Sequence, residues 1–481
     1  TRATIRDVLN KLNSGVSGMV LVVDDTGPLR GVVTDGDVRR ALLEGNQLDD
    51  PVTNAMNGDF RYESEETSRE DAVKSLTDKI RHIPILDRDM RPVDLISWVD
   101  FWRIPLVKPH LSGNELKYVS DCISSNWISS QGNYVKRFER QFAEIHERAY
   151  ALSSSSGTTA LHVAMEAIGI GPGDEVIVPD LTFGACANAV LHAGATPVFA
   201  DVSQEHWTLD SASVRRLISS QTKAIMPVHL YGHPCDMDVL MDIASDHGLY
   251  VVEDCAESLG SRYKGKRTGR FGHVACFSFF GNKMITTGEG GMVLTDDEQI
   301  FSQMNLLRDH GMDPEKRYWH AYPGYNFRMT NLQAAVGCAQ LEQLENFVQN
   351  RLSVAEAYYK ELNDVEELVL PPEMEWATSS YWLFSCLLKP LSSDFKVSNI
   401  IEALKSEGID SRNFFYPLHV QPAYQSKSRY DPEISVSLDL SERGISLPTF
   451  NGLEVSEVKR IAGAFQRTLN RQKYLNPDSS S

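Results

Sequence analysis

The sequence predicts an α/β protein with a mainly parallel sheet flanked by helices, followed by a small C-terminal domain and preceded by a separate N-terminal unit. Short apolar runs such as DEVIVPD, TPVFAD, KAIMPVH and LYVVED alternate with helical patterns such as ACANAVLHAG and DVLMDIASDHG. This alternation is typical of βαβ units, whose helices cover both faces of a parallel sheet. From residue 380 onward the pattern becomes one of mixed strands and helices, which indicates a second, smaller α/β domain.

The N-terminal unit is set apart by an internal repeat. The segments GVVTDGD and VDLISWVD each combine an apolar strand with a hydroxyl residue, two spacers and an acid, which are Thr34 with Asp37 and Ser97 with Asp100. Another apolar run precedes each copy, MVLVVDD in the first and HIPILDRD in the second. A hydroxyl residue and an acid at this spacing can cap the start of a helix. The repeat therefore predicts two copies of one motif.

Composition excludes several classes of function. The chain has 481 residues, with 47 lysines and arginines against 65 acids and a formal charge of -18. A chain this acidic lacks the basic face that non-specific nucleic-acid binding needs. No apolar run approaches the ~20 residues of a membrane helix, and the N-terminus has no apolar signal core. We therefore expect a soluble cytoplasmic protein that binds neither nucleic acid nor membrane.

The seven cysteines carry no motif. They are scattered and form no CxxC pair, which argues against a disulfide framework and against a structural zinc site. We expect them to be small core residues and predict no metal site.

Two residues point to a specific chemistry. Asp254 ends the apolar run LYVVED, and Lys283 lies downstream in the Gly-rich stretch FSFFGNKMITTGEGG. A lysine amine can form a Schiff base with pyridoxal phosphate (PLP), and a carboxylate can keep the pyridine nitrogen of that cofactor protonated, so that its ring accepts electrons. Each residue alone also fits a surface lysine or an acid in a turn. A third motif favours the cofactor.

That motif is SSSSGTTALHVAMEAIGI, a polar turn that enters a helix of apolar periodicity. The backbone N–H groups of Gly157, Thr158 and Thr159 are expected at the helix start, where unpaired donors and the helix dipole favour a phosphate dianion. Simple capping by Ser155 or Ser156 is the alternative. A phosphate cup, an acid and a lysine in one chain predict a PLP site.

Residues 105 to about 470 resemble the DegT/DnrJ/EryC1/StrS family of PLP-dependent sugar aminotransferases. The resemblance is carried by GPGDEVIVPDLTF, AIMPVHLYGHPCDMD, VVEDCAESLGSRYKGKRTG, CFSFFGNKMITTGEGGMVLT, GYNFRMTNLQAAVG, RNFFYPLHVQPAY and ERGISLP. It implies the PLP-dependent transferase fold of type I, with a PLP-binding large domain over 113–365 and a small C-terminal domain over 366–481. The repeat over 1–103 resembles a pair of cystathionine-β-synthase (CBS) domains, a Bateman module, which leaves the proline-containing segment 104–112 as the linker.

The resemblance implies roles for individual residues. Lys283 would form the Schiff base and shuttle a proton as the catalytic lysine, and Asp254 would pair with the pyridine nitrogen. Phe183 would stack on the ring, and Glu257 would orient the cofactor near its O3′. The implied phosphate ligands are Gly157 and Thr158 through their backbone, Ser278 through its hydroxyl, and Asn326 reaching the site of the neighbouring subunit in a homodimer or higher homo-oligomer.

The resemblance also implies a substrate. The candidate sugar contacts are His229, which fits a core histidine equally well, Trp319, His320, Arg412 and His419. NELKYVSDCISSNWISSQG, FFGNKMITTGEGGM and RDHGMDPEKRYWH most closely resemble GDP-perosamine synthases. The implied reaction converts GDP-4-keto-6-deoxy-D-mannose and L-glutamate to GDP-perosamine and 2-oxoglutarate, a step towards bacterial surface polysaccharide such as the O-antigen of lipopolysaccharide.

Three alternatives stay open. One is amination at C4 or C3 of a UDP- or dTDP-linked keto sugar. A second is a sugar dehydrase of the same fold, against which Lys283 counts, because those relatives carry histidine at this position. The third is a nucleotide-sensing regulatory protein with an idle PLP domain.

The CBS pair has its own implied ligand. In such domains the hydroxyl residue and the acid can reach the phosphate and ribose of an adenine nucleotide, which singles out Thr34 with Asp37 and Ser97 with Asp100. The second copy carries Asp94 where the first has Gly31, and this departure favours the first copy as the binding site.

Overall fold

The computed structural model describes residues 3–14, 18–67, 71–72, 75–77, 80–97, 104–313, 315–389 and 396–475. It divides into two compact units, one of residues 1–104 with 405–409 and the other of residues 105–404 with 410–481. The finer division of the second unit into a large and a small domain stays a prediction. In the described part of the chain, none of the helices is both long and apolar enough to cross a membrane.

The first unit contains two β-hairpins of the same register. Its elements are α1 (Ile5–Ser14), β1 (Met19–Val23), β2 (Leu29–Thr34), α2 (Asp35–Leu43), β3 (Glu63–Ser64), β4 (His82–Leu86) and β5 (Pro92–Ser97). Met19 pairs with Thr34 in the first hairpin as His82 pairs with Ser97 in the second, and both hairpins contain an irregularity near the turn. The backbone therefore repeats as the sequence does. Asp100 lies outside the described residues.

The second unit is built around an eight-stranded sheet with two smaller sheets beside it. Its strands are β6 (Tyr150–Ser154), β7 (Glu175–Pro179), β8 (Thr196–Ala200), β9 (Thr222–Ile225), β10 (Tyr250–Asp254), β11 (Arg262–Tyr263), β12 (Lys266–Arg267), β13 (Val274–Ser278), β14 (Gly291–Thr295), β15 (Leu368–Val369), β16 (Ala377–Thr378), β17 (Phe384–Leu388), β18 (Arg412–Asn413), β19 (Arg429–Tyr430) and β20 (Gly444–Leu447). Its helices are α3 (Glu115–Ser124), α4 (Asn133–Ile145), α5 (Gly157–Ala167), α6 (Ala185–His192), α7 (Ser211–Leu217), α8 (Met237–His247), α9 (Glu298–Arg308), α10 (Asn331–Leu341), α11 (Leu344–Leu362), α12 (Val397–Ser406), α13 (Val436–Arg443) and α14 (Val455–Leu475).

The large sheet is mainly parallel. Its strand order is β19-β8-β7-β9-β10-β13-β14-β6, and β14 runs antiparallel to both of its neighbours while the other pairs are parallel. The smaller sheets have the orders β15-β17-β20-β18 and β12-β11-β16. The predicted fold class is confirmed.

Helices cover both faces of the large sheet. Val176 and Val178 of β7 pack with α5 and α6, whereas Ile177 between them packs with α7 and α8. Because successive side chains of a strand point to opposite faces, a strand covered on both sides is apolar throughout, which explains the unbroken apolar runs of the sequence. All seven cysteines are free and buried, as expected for small core residues.

One buried carboxylate ties the centre of the sheet to the loop that precedes β13. Glu253 of β10 is fully buried and accepts hydrogen bonds from the backbone N–H groups of Gly269, Phe271 and Gly272 at 2.8, 2.8 and 2.6 Å. His229 donates a fourth through Nε2 at 3.1 Å. Burial opposes ionisation, but these hydrogen bonds prevail and lower the pKa of Glu253 below its usual range. The carboxylate is therefore a fixed, ionised acceptor next to Asp254.

We predict that Glu253→Ala lowers the free energy of unfolding by about 3 to 5 kcal/mol, because it leaves three backbone donors and a histidine buried without an acceptor. Urea unfolding followed by circular dichroism measures the effect. Glu366→Ala removes an exposed carboxylate and serves as the control, with an expected change within about 0.5 kcal/mol. A Glu253→Ala variant as stable as this control would contradict the proposed anchoring.

Candidate active site

The predicted site residues converge on one cavity of about 320 Å³. The cavity lies where β10 ends at Asp254, β13 ends at Ser278 and α5 begins at Gly157. Ligands of parallel sheets bind at this edge, outside the carboxyl ends of the strands. The predicted residues that line the cavity are Gly157, Thr158, Phe183, Asp254, Glu257, Ser278, Lys283 and Arg412.

The start of α5 forms a cup of backbone donors. Ser156 caps the helix, because its Oγ accepts from the N–H of Thr159 at 3.2 Å, while its own N–H donates to Thr159 Oγ1 at 3.0 Å. Gly157 and Thr158 lie in the first turn, where N–H groups have no acceptor within the helix. A Cβ on Gly157 would lie 2.8 Å from the Cβ of Ser278, so only glycine allows this close approach. The geometry suits a phosphate group.

Asp254 faces the cavity with one carboxylate held from two sides. Its Oδ1 accepts from the N–H of Ala256 at 2.9 Å, and its Oδ2 accepts from the thiol of Cys186 on α6 at 3.1 Å. Burial and the neighbouring charge of Asp254 raise the pKa of the Cys186 thiol well above its usual range. The thiol therefore stays protonated and remains a donor.

Lys283 lies between a carboxylate and an aromatic ring. Its Nζ is 3.7 Å from Oε1 of Glu257 and 3.8 Å from the ring centroid of Trp382. The other oxygen of Glu257 accepts from the N–H of Tyr231 at 3.0 Å. Burial lowers the pKa of Lys283 below its usual range and raises the pKa of Glu257 to about 7. Burial thus disfavours charge on both members of the pair, whereas the attraction between the ammonium and the carboxylate favours it.

Two predicted substrate contacts lie away from the cavity. His229 is fully buried beneath the sheet edge, where its Nδ1 accepts from the N–H of Cys235 at 3.0 Å and its Nε2 donates to Glu253. Both ring nitrogens are engaged by the protein, as in a core histidine, and a sugar contact stays a prediction. His419 binds the carboxylate of Asp180 through Nδ1 at 2.7 Å, a hydrogen bond that raises the pKa of His419.

Three further predicted residues lie on the surface outside this cavity. Trp319 is 55% exposed, the ring of His320 contacts the carbonyl of His310 through Nδ1 at 2.8 Å, and Asn326 is exposed beside Asp309. None of the three lines the cavity of its own subunit. For Asn326 this agrees with the expectation that it serves a neighbouring subunit, which stays a prediction.

Cys186, which binds Asp254, and Trp382, which lines the cavity, are among the residues that were not predicted from the sequence. Cys186 lies in the predicted helix ACANAVLHAG, shortly after DLTF. Its position soon after Asp180, the acid at the end of a predicted strand, is the one feature of the sequence that points to Cys186. Trp382 lines the cavity from the segment that leads into β17. It lies 99 residues beyond Lys283 in the chain, and no local pattern connects the two.

The residues present fit PLP. A cup of N–H donors with the Ser278 hydroxyl suits a phosphate, Asp254 offers a buried carboxylate for a ring nitrogen, and Lys283 offers a primary amine whose pKa is lowered by burial.

The first unit contains a second cleft, of about 710 Å³. Thr34 and Asp37 line it, and the N–H and Oγ1 of Thr34 both donate to Asp37 Oδ2, at 2.8 and 2.6 Å, in the capping arrangement of α2. Four arginines also line the cleft, Arg39, Arg40, Arg61 and Arg81. Ser97 is buried and does not line the cleft.

Residues 109–466 match the model of the DegT/DnrJ/EryC1/StrS aminotransferase family. The chain belongs to this family. It is therefore a PLP-dependent sugar aminotransferase of the type that acts on nucleotide sugars. Residues 2–44 match the CBS domain, which covers the first copy of the N-terminal repeat.

Similar proteins agree with the family. The GDP-perosamine synthase of Escherichia coli O157:H7 is 44% identical over 355 residues, covering 74% of this chain and 95% of that protein. The GDP-perosamine synthase of Caulobacter vibrioides is 43% identical over 371 residues, covering 77% and 99%. Among solved structures, DesV of S. venezuelae in complex with a ketimine intermediate superimposes with a TM-score of 0.69 at 33% identity, covering 74% of this chain and 94% of DesV.

We predict that Glu257→Gln lowers the pKa of Lys283 in the cofactor-free chain by about 1 to 3 units, because a nearby carboxylate favours the ammonium form. Above pH 7 the Glu257 carboxylate is charged, so the variant should hold more free amine and be acetylated faster there. Below pH 7 the two proteins should converge. Mass spectrometry of acetylated Lys283 across pH measures this.

Lys264 is the internal control of that measurement, since it is exposed and pairs with Asp238 at 2.6 Å. Its acetylation should be the same in both proteins. An unchanged profile for Lys283 would show that Glu257 does not control its proton.

Proposed function

We propose that this chain uses PLP to transfer the amino group of L-glutamate to C4 of GDP-4-keto-6-deoxy-D-mannose, giving GDP-perosamine and 2-oxoglutarate. The observation that carries the reaction type is the convergence of Lys283, Asp254 and the N–H donors of α5 on one cavity. The identity of 43 to 44% to two GDP-perosamine synthases supports the sugar.

The proposed roles follow from the contacts of each residue. PLP, when bound, supplies an aldehyde that takes up the amino group and a ring that accepts electrons. The N–H groups of Gly157 and Thr158 and the Ser278 hydroxyl would bind the phosphate of PLP. Asp254 would hold a proton on the ring nitrogen, and Cys186 and Ala256 fix the orientation of its carboxylate.

Lys283 would hold PLP through its amine, and its free amine would carry a proton. Glu257 stands 3.7 Å from its Nζ, with a pKa of about 7. The Glu257 carboxylate can therefore gain or lose a proton near neutral pH beside the amine. General acid–base transfer is most efficient when the pKa lies near the working pH.

Phe183 and Arg412 also line the cavity. The side chain of Phe183 is 61% exposed, so its ring is accessible for stacking on the ring of PLP. The guanidinium of Arg412 offers donors for phosphate or sugar oxygens. With the lysine, acid and phosphate cup assembled in one place, the site does not support an idle PLP domain, and Lys283 does not support a dehydrase.

We predict that the purified chain with PLP and L-glutamate converts GDP-4-keto-6-deoxy-D-mannose with a kcat/KM at least about 100-fold above UDP- or dTDP-linked keto sugars. Mass spectrometry of the products and NMR of the aminated carbon measure this. Lys283→Ala is the matched control, which should give no product and no covalent PLP adduct after borohydride reduction. Preference for another nucleotide, or amination at C3, would overturn the proposed substrate while leaving the transaminase assignment intact.

We further propose a homodimer with shared sites. Asn326 is exposed and lies outside its own cavity, and exposed aromatic residues, Tyr318, Trp319 and Tyr322, precede it on the same surface segment. An exposed aromatic cluster of this kind is typical of a protein interface.

We predict that mixing inactive Lys283→Ala and inactive Asn326→Ala chains restores activity, because each heterodimer would contain one intact site out of two. Activity per heterodimer should approach half of wild type. Heterodimers purified with two affinity tags give the measurement, and homodimers of each variant are the controls. Inactive heterodimers would show that each subunit builds its own site.

The arginine-lined cleft supports a second candidate function, binding of an adenine nucleotide by the first CBS copy. Thr34 and Asp37 lie at its wall. Arg39 and Arg40 pair with Asp35 and Asp37, and Arg61 and Arg81 offer further positive charge for phosphate groups. Gly31 allows the close approach of Asn57, whose carbonyl would lie 2.9 Å from a Cβ at that position. Asp94 occupies the corresponding position of the second copy.

We predict that AMP, ADP or ATP binds the full-length chain in calorimetry and that Asp37→Ala and Arg61→Ala each weaken binding at least tenfold. Arg61 forms no part of the α2 cap, so its variant separates ligand contact from loss of the helix cap. Arg88→Ala, which removes an exposed arginine paired with Glu66, should bind as wild type does. Absence of binding would leave the module without this ligand.

A further inference from the structure

We propose that Trp382 is a positioning residue that holds Lys283 beside the cavity through the face of its indole ring and through its indole N–H. The Nζ of Lys283 lies 3.8 Å from the centroid of this ring. The indole Nε1–H donates to the carbonyl of Asn282, the residue before the lysine, at 2.7 Å. One side chain therefore contacts both the charged end of Lys283 and the backbone from which it starts.

The two contacts act differently. The negative face of an indole ring attracts an ammonium group, an interaction that strengthens when water is excluded. It favours the protonated form of Lys283 and so acts against burial, which lowers the pKa of this group. The hydrogen bond to Asn282 restrains the loop after β13, where the Lys283 N–H also donates to the carbonyl of Phe280 at 3.0 Å.

Trp382 is itself held rigidly. It is 3% exposed, and its carbonyl accepts from the guanidinium of Arg351 on α11 at 2.9 Å. Arg351 is fully buried and also donates to the carbonyl of Thr449. Burial lowers the pKa of Arg351 to about 9. The backbone of Trp382 is thus held by Arg351 of α11, which lies outside the loop that the indole N–H contacts.

This inference rests on the proposed role of Lys283 as the amine that is attached to the cofactor and then released. When released, the amine needs a defined position within reach of the reacting atoms, because a displacement of about 1 Å can cost a large part of the rate. The Trp382 face and the Glu257 carboxylate lie at 3.8 and 3.7 Å from Nζ. Together they define a resting position for the ammonium.

Fluorinated tryptophans test the ring contact without changing the shape of the site. Each added fluorine weakens the negative face of the indole. The pKa of Lys283, measured by acetylation of the cofactor-free full-length chain, should therefore fall step by step, by a total of up to about 0.4 to 1.5 units. The chain has seven tryptophans, so the dependence must be assigned to one of them.

Two matched variants make that assignment. In Trp382→Phe the fluorine dependence should disappear, whereas in Trp376→Phe, which alters a ring packed on Tyr263 outside the cavity, it should persist. Hydrogen exchange gives a second readout. Peptides covering 280–284 should exchange faster in Trp382→Phe, because the hydrogen bond to Asn282 is lost. Their exchange rate should be unchanged in Trp376→Phe.

The proposal would be overturned if fluorination left the pKa of Lys283 unchanged. It would also be overturned if the pKa still depended on fluorination in Trp382→Phe. A Trp382→Phe variant that raises only the KM for the sugar, with the Lys283 profile unchanged, would make Trp382 a substrate contact instead. Neither the acetylation of Lys283 nor the hydrogen exchange uses a sugar nucleotide, so these two measurements stay valid if the proposed substrate is wrong.

Discussion

The structure depends on what happens to two neighbouring carboxylates at the end of β10. Glu253 and Asp254 are adjacent, so their side chains point to opposite faces of the sheet. Glu253 receives three backbone N–H groups and a histidine, which fixes the strand end and the loop before β13. Asp254 receives one N–H and one thiol and lines the cavity. One of the two adjacent carboxylates thus serves the fold, and the other faces the cavity.

The burial of a charged group also determines the surroundings of Lys283. Taking an ammonium out of water is costly unless an anion or another attractive group is near. Glu257 is the anion, but burial brings its pKa to about 7, so the pair is not locked in one ionisation state. Trp382 supplies attraction without adding a titratable group. The ammonium form of Lys283 is thereby held between the Glu257 carboxylate and the Trp382 ring.

The parts predicted from sequence were those encoded by short segments. The apolar runs, the glycine-containing helix start, Asp254 and Lys283 each sit in a local pattern, and parallel-sheet topology brings the strand ends together. The direction of a side chain, and contacts between segments far apart in the chain, could not be predicted from the sequence. His229 also ends an apolar run, yet its ring turns to Glu253 instead of the cavity. Trp382 and Cys186 reach the site through packing between distant segments, which a single sequence does not reveal.

The capping of α5 has a consequence for how the site is loaded. Ser156 accepts the hydrogen bond of the Thr159 N–H, so the helix is capped without a ligand. The N–H groups of Gly157 and Thr158 stay available for a phosphate. A phosphate that binds there would find the helix start already ordered, which keeps the entropic cost of association low. Because Ser156 itself caps the helix, a phosphate at this position would add a ligand to the start of α5 without serving as its cap.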